Sequence, residues 1–170
     1  MDVYLEHDLS AFRETDILGK SEKNVDYGFF FRLGISIGKW VAHNAGEGNS
    51  ICICSNNDLY SNGYKLAFRR GLCKYQEVLD VGEGPIELLG FSISKIKGAL
   101  AGVMISSEGD LTGVKIFNGS QEISIEQLSD IKLYFRAIGS LHHETLRPPY
   151  PYGSMPMKAL FLSEMQSDKG

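Results

Sequence analysis

At 170 residues, with 43% hydrophobic and 22% charged side chains, the chain is long enough for one compact domain and has the ordinary balance of a globular protein. A formal net charge of −4 weighs against a nucleic-acid role, which needs a basic face. The nearly uncharged stretch from Gly98 to Glu108 falls well short of the ~18 apolar residues that span a bilayer, so no membrane insertion is expected. Asp2, Glu6 and Asp8 stand where a secretory leader would carry positive charge, and the expected location is cytoplasmic.

Three cysteines fit no disulfide framework. Cys52 and Cys54 alternate with Ile51 and Ile53 and read as small core hydrophobes in a reducing compartment. His142 and His143 are adjacent, and on an extended chain they would point apart. No residue set has the spacing of a metal site, and no metal or other cofactor is expected. Arg69-Arg70 and Lys95/Lys97 read as solvated helix surface.

In chain order, Phe12 to Gly19 reads as a short strand. Val25 to Ala45 follows as a long amphipathic helix, with Tyr27, Phe30, Phe31, Gly34, Ile37, Trp40 and Val41 at three- and four-residue spacing. Ser50 to Cys54 is an uncharged, β-rich run suited to a buried strand. Ser61-Asn62-Gly63 offers a cap for a second helix that faces the sheet on its Leu66/Ala67 side. Glu77 to Val81 reads as a strand, Pro85 to Lys97 as a third helix, Ala99 to Ser106 and Gly113 to Phe117 as strands, and Ser124 to Ala137 as a helix with Ile125, Leu128, Ile131 and Phe135 on one stripe. This alternation implies a sheet covered on both faces.

Residues 1–138 read as that domain and 139–170 as a C-terminal extension. Four of the five prolines (Pro148, Pro149, Pro151, Pro156) lie in the extension, which bars it from a central strand. Its apolar residues need a surface, on its own domain or on a partner. Tyr150, Tyr152, Met157, Leu160 and Phe161 are the candidate interaction residues. Met157 to Gln166 reads as a short helix, and Arg147 to Tyr152 as an extended polyproline-type arm.

Four pieces in order carry a family resemblance. Phe12-Arg13-Glu14-Thr15-Asp16-Ile17-Leu18-Gly19 resembles "FR-x-YDIRG"; Ser50 to Ser61 with the helix after it resembles "VVVGRDSRLSS"; Val78-Leu79-Asp80-Val81-Gly82 with Gly84-Pro85 resembles "V-x-D-x-G-x-x-PTP"; and Gly102 to Ser107 with Gly113 to Ile116 resembles "GGVMITASHNP…NGFKI". Together they are similar to the first domain of the α-D-phosphohexomutases, the phosphomannomutases and phosphoglucomutases. The resemblance implies a three-layer αβα sandwich on a mixed, about four-stranded sheet. It also implies where catalysis would lie, because in that family the serine of "TASHNP" carries a phosphoryl group exchanged with a sugar phosphate.

At those positions the sequence departs from the pattern. "TASHNP" reads Ser106-Ser107-Glu108-Gly109-Asp110 in a shortened loop, with Ser107 the nearest counterpart of the nucleophile and Ser106 the alternative. The arginine of the opening motif is Leu18, and "GRDSR" reads Cys54-Ser55-Asn56-Asn57-Asp58, so its arginines are gone as well. Asp16 and Lys115 survive. Glu108 and Asp110 are expected to oppose a phosphoryl group, each charge pair by about 4 kcal/mol at an effective dielectric near 20. The family's metal loop, sugar-reading loop and C-terminal domain have no counterpart in these residues.

The expected function is therefore that of a non-catalytic interaction, structural or regulatory domain, linked to polysaccharide or sugar-phosphate metabolism and partnered by another chain or by itself. The alternatives are one piece of a split phosphohexomutase and, more weakly, a sugar-phosphate sensor.

Overall fold

The computed structural model describes residues 9–167, so the acidic start at Asp2, Glu6 and Asp8 lies outside the described residues. The elements are β1 (Ile17–Lys20), α1 (Tyr27–Ala45), β2 (Ser50–Ser55), α2 (Leu59–Leu72), β3 (Glu77–Glu83), α3 (Ile86–Lys95), β4 (Ala99–Glu108), β5 (Leu111–Asn118), β6 (Gln121–Glu122), α4 (Ile125–Ala137), α5 (Leu141–Thr145), β7 (Tyr152–Ser154) and α6 (Lys158–Ser167). The strands form one mixed sheet in the order β1-β5-β4-β2-β3-β7, with β6 beside β5. Among the described residues that makes seven strands rather than about four. The additional ones include the two-residue β6 and the edge strand β7, which comes from the proline-rich extension.

Strands β2, β3 and β4 run parallel and are joined through α2 and α3, whereas β5 returns antiparallel to β4. Period-two alternation sends Ile51, Ile53, Val103 and Ile105 to one face, under α1, α2 and α4. Cys52, Cys54 and Met104 go to the other, under α3 and α6. All three cysteines are buried and unpaired, and burial pushes the Cys52 thiol up to about 12 and the Cys54 thiol to about 11. They are packing residues, as their alternation implies.

Helix α1 starts where the Asp26 side chain accepts from the Phe29 amide at 2.8 Å. Replacing Asp26 with alanine is expected to cost about 1 kcal/mol, read as a shift of the urea midpoint. The buried Arg32 on α1 donates from Nε to the Phe135 carbonyl at 2.9 Å and stacks over the Phe135 ring, tying α1 to the end of α4. Helix α4 carries a capping box between Ser124 and Gln127. Its buried stripe is Leu128, Ile131 and Phe135, while Ile125 in the first turn is half exposed.

Helix α2 begins earlier than its Ser61-Asn62-Gly63 signal. Asp58 is the N-cap, accepting from the Tyr60 amide at 2.9 Å, and Ser61 instead back-bonds to the Asn56 carbonyl. On the helix so started, Tyr64, Ala67, Phe68 and Leu72 face inward and Leu66 faces solvent.

The extension folds back on the domain. Strand β7 pairs in parallel with β3, Val78 opposite Tyr152. Met157 and Phe161 are buried in the cluster under α3, with the Phe161 ring 5.3 Å from Phe91. Residues His142 and His143 lie on the short helix α5, N-capped by Ser140, and not on an extended chain. Among the described residues no His, Cys, Asp and Glu group could hold a metal, and no helix is long and apolar enough to cross a membrane.

Candidate functional site

In parallel α/β sheets the carboxyl ends of the strands are where loops converge on a ligand. Here that edge opens a cleft of about 460 Å³ whose lining includes Asp16, Asn56, Glu87, Ser106 and Lys115. Three of the four sequence candidates, Asp16, Ser106 and Lys115, therefore share one cleft. The fourth, Ser107, does not line it.

The separation follows from the pleat. On β4, Met104 and Ser106 point to the α3 face, and Ser107 points to the opposite one. Ser107 is 2% exposed, and its Oγ is hydrogen-bonded to Thr112 Oγ1 at 2.7 Å, which is bonded in turn to Ser21 Oγ at 2.7 Å. Its backbone is held on both sides by Asn56, which accepts from the Ser107 amide at 3.0 Å and donates to its carbonyl at 2.8 Å. The Ser107 hydroxyl is thus buried and engaged, and of the two serines only Ser106 lines the cleft.

The segment after these serines is not a loop. Strands β4 and β5 pair in unbroken register through Glu108↔Leu111, leaving only Gly109 and Asp110 as a two-residue hairpin turn. Gly109 has φ 61°, the left-handed conformation such turns require. Glu108 and Asp110 are exposed at the tip and do not line the cleft. The carboxylates that do line the cleft are Asp16 and Glu87, the latter in the first turn of α3.

The charges in the cleft are largely paired within the protein. Arg13 donates from Nε and Nη2 to both Asp16 oxygens at 2.5 Å, and this fork, before the longer-range charges of Arg13 and Lys115, holds the Asp16 carboxyl below its usual range. Lys115 Nζ lies 3.8 Å from Glu122. The positions that stand for the missing arginines serve the fold instead: Ser55 Oγ donates to Asn62 Oδ1 at 2.9 Å, Asp58 caps α2, and Leu18 lines the cleft as an apolar wall.

Of the tail candidates, Met157 and Phe161 are turned inward, at 8% and 7% exposed. Tyr150 binds the domain, its amide donating to the Cys73 carbonyl at 2.6 Å and its hydroxyl to Glu47 at 2.9 Å. Tyr152 is half exposed with Arg69 stacked over its ring at 4.6 Å, so Arg69 is not simply solvated surface; Leu160 is half exposed on α6. Sequence reasoning missed Asn56 and Glu87 in the cleft. It also missed Lys74, whose Nζ donates to the Thr145 and Arg147 carbonyls and so anchors the extension. Asn56 and Glu87 fall within the second and third motifs, but at positions where this sequence departs from the pattern, so only the fold shows what they face.

No protein-family model matches the chain, and no curated protein does. Among solved structures, a phosphoglucomutase/phosphomannomutase family protein from Burkholderia thailandensis superposes with a TM-score of 0.79 at 17% identity, over 95% of this chain and 36% of its own. A candidate phosphomannomutase from Thermus thermophilus does so with a TM-score of 0.70 at 16% identity, over 92% of this chain and 35% of its own. The chain thus has the fold of phosphoglucomutase/phosphomannomutase proteins over about a third of their length.

Proposed function

We propose that the chain is a non-catalytic phosphohexomutase-like domain that works by binding another protein chain. The observation that supports this most strongly is the β4–β5 hairpin. Where a mobile, phosphate-carrying loop would be needed, the backbone is zipped to within two residues of its turn and Ser107 is locked in a buried hydroxyl chain. Phosphoryl transfer also needs cations around the migrating group. Among the described residues Lys115 is the one cation lining this cleft, where Glu87 adds a carboxylate and Asp16 one already paired with Arg13. Leu160, Leu162 and Met165 remain exposed on α6, the part of the extension assigned to the partner.

A second reading, one piece of a split phosphohexomutase, is favoured only by the shared placement of Ser106, Asp16 and Lys115. Incubation with glucose 1,6-bisphosphate and magnesium, followed by phosphopeptide mass spectrometry, separates the two. The proposal expects no phosphoserine at Ser106. Stoichiometric phosphoserine there would favour the second reading.

A further inference from the structure

A large cavity lies away from the Ser106 cleft, on the helical side of the sheet. It has a volume of about 590 Å³ and is bounded by the first turns of α1, the last turns of α2 and the returning extension. That volume falls in the range of small-ligand sites, about 300–1,000 Å³. Phe31, Leu141, Pro149 and Tyr152 give it an apolar body.

Its charge is the opposite of the chain's. The protein carries a formal net charge of −4, yet Arg69, Arg70 and Lys74 line the cavity together with His142, and no aspartate or glutamate does. Lys74 is committed to two carbonyls of the extension. Arg70 donates to the Tyr27 hydroxyl, at 2.8 Å, and Arg69 stacks on Tyr152 with a buried Nε that has no hydrogen-bond acceptor. Neither arginine is in an ion pair among the described residues. Elsewhere, Arg13 is spent on Asp16, Arg32 on the end of α4 and Arg147 on Glu47.

The wall facing these arginines is held firmly. The Tyr150 amide donates to Cys73, Arg147 Nε donates to the Lys74 carbonyl at 3.0 Å and its guanidinium lies 4.1 Å over the Tyr75 ring. Tyr75 in turn donates its hydroxyl to Glu144, which also pairs with Lys39. The cavity is thus a preformed concavity with two guanidinium groups outside any ion pair on an apolar floor.

We infer that this cavity, built jointly by α1, α2 and the extension, binds a small organic anion with an aryl or acyl body and a single sulfonate, phosphate or carboxylate head. The body packs on Phe31, Leu141 and Tyr152, and the head is taken by Arg69 and Arg70, whose planar forks match such oxygens. This site is independent of the Ser106 cleft and holds whether or not that cleft is inert.

The test uses the full chain and 8-anilinonaphthalene-1-sulfonate as the probe, followed by its fluorescence at low salt. One saturable site is expected, with displacement by phenyl phosphate and by octanoate reporting which head and body are preferred. The uncharged parent, N-phenyl-1-naphthylamine, is expected to bind about a hundredfold more weakly, the loss of both charge-assisted contacts, about tenfold each. Arg69→Gln and Arg70→Gln should each weaken the sulfonated probe by about tenfold. Arg69→Gln also removes the stack on Tyr152, so Arg70→Gln, which leaves that stack in place, keeps the test clean if the first variant loosens the extension. Equal affinity for the charged and neutral probes, or unchanged affinity in Arg70→Gln, would overturn the inference. So would the absence of a saturable site, or a self-associated form of the chain that excludes the probe.

Discussion

Gly71→Val is expected to unfold the domain or to lower its stability by about 3 kcal/mol or more, read as the urea midpoint of the far-ultraviolet circular dichroism. Helices α1 and α2 cross at two glycines. A Cβ on Gly71 would lie 2.1 Å from the Phe31 carbonyl oxygen and 3.0 Å from the Ile35 amide nitrogen. One on Gly34 would lie 2.3 Å from the Phe68 carbonyl oxygen. Both obstacles are backbone, so no rotamer change relieves them and the helices must separate. Separation would uncover Phe30, Leu33, Phe68 and Leu72, all fully buried. Since a domain of this size is stable by only about 5–15 kcal/mol, the loss is a large share of the total. Gly63→Ala in the same helix provides the control: nothing lies within 4 Å of its would-be Cβ, and a gain of about 0.5–1 kcal/mol is expected. A Gly71→Val protein with the wild-type midpoint would contradict the packing described.

Phe161→Ala is expected to release α6. Phe161 on α6 and Met157 just before it are the buried anchors on α3; among the described residues the other ties are a half-exposed Lys95–Glu164 ion pair at 3.1 Å and the backbone bonds of Met155 and Met157 to β3. Exposed pairs of this kind contribute little, so the ring carries most of the docking. Its loss should cost about 3 kcal/mol. That raises the undocked population roughly a hundredfold, read as faster tryptic cleavage at Lys158 and lost amide protection in α6. Leu160→Ala, half exposed on the same helix, is expected to change either readout by no more than about 0.5 kcal/mol. An unaltered cleavage rate in Phe161→Ala would mean that α6 does not dock through this side chain.

The layered α/β architecture was legible because its signals are local. The three- and four-residue spacing in α1, the alternation of Cys52 and Cys54 with isoleucines and the uncharged β4 run each report burial directly. What misled was competition between equally local signals. Two polar groups stand near the start of α2, and Asp58 prevails over Ser61 as its cap because it is followed by two further helical residues whose amides need acceptors. Strand β7 was hidden because a proline-flanked Tyr152–Ser154 has no alternation to show; it forms only because β3 offers an open edge. The site was half legible. Which serine faces the cleft is a matter of strand phase, and the sequence motif leaves Ser106 and Ser107 open until the register of β4 against β5 is known. The carboxylate of Glu87 enters from the first turn of α3, at the last position of the third motif, where the pattern carries a proline and so gives no hint of a charge.

The most direct measurement of the central claim is turnover. Purified protein supplied with glucose 1-phosphate, catalytic glucose 1,6-bisphosphate and magnesium should form no glucose 6-phosphate above the protein-free rate, because Ser107 is sequestered and Lys115 is the one cation that lines the Ser106 cleft among the described residues. Sustained isomerisation that disappears in Ser106→Ala would contradict it.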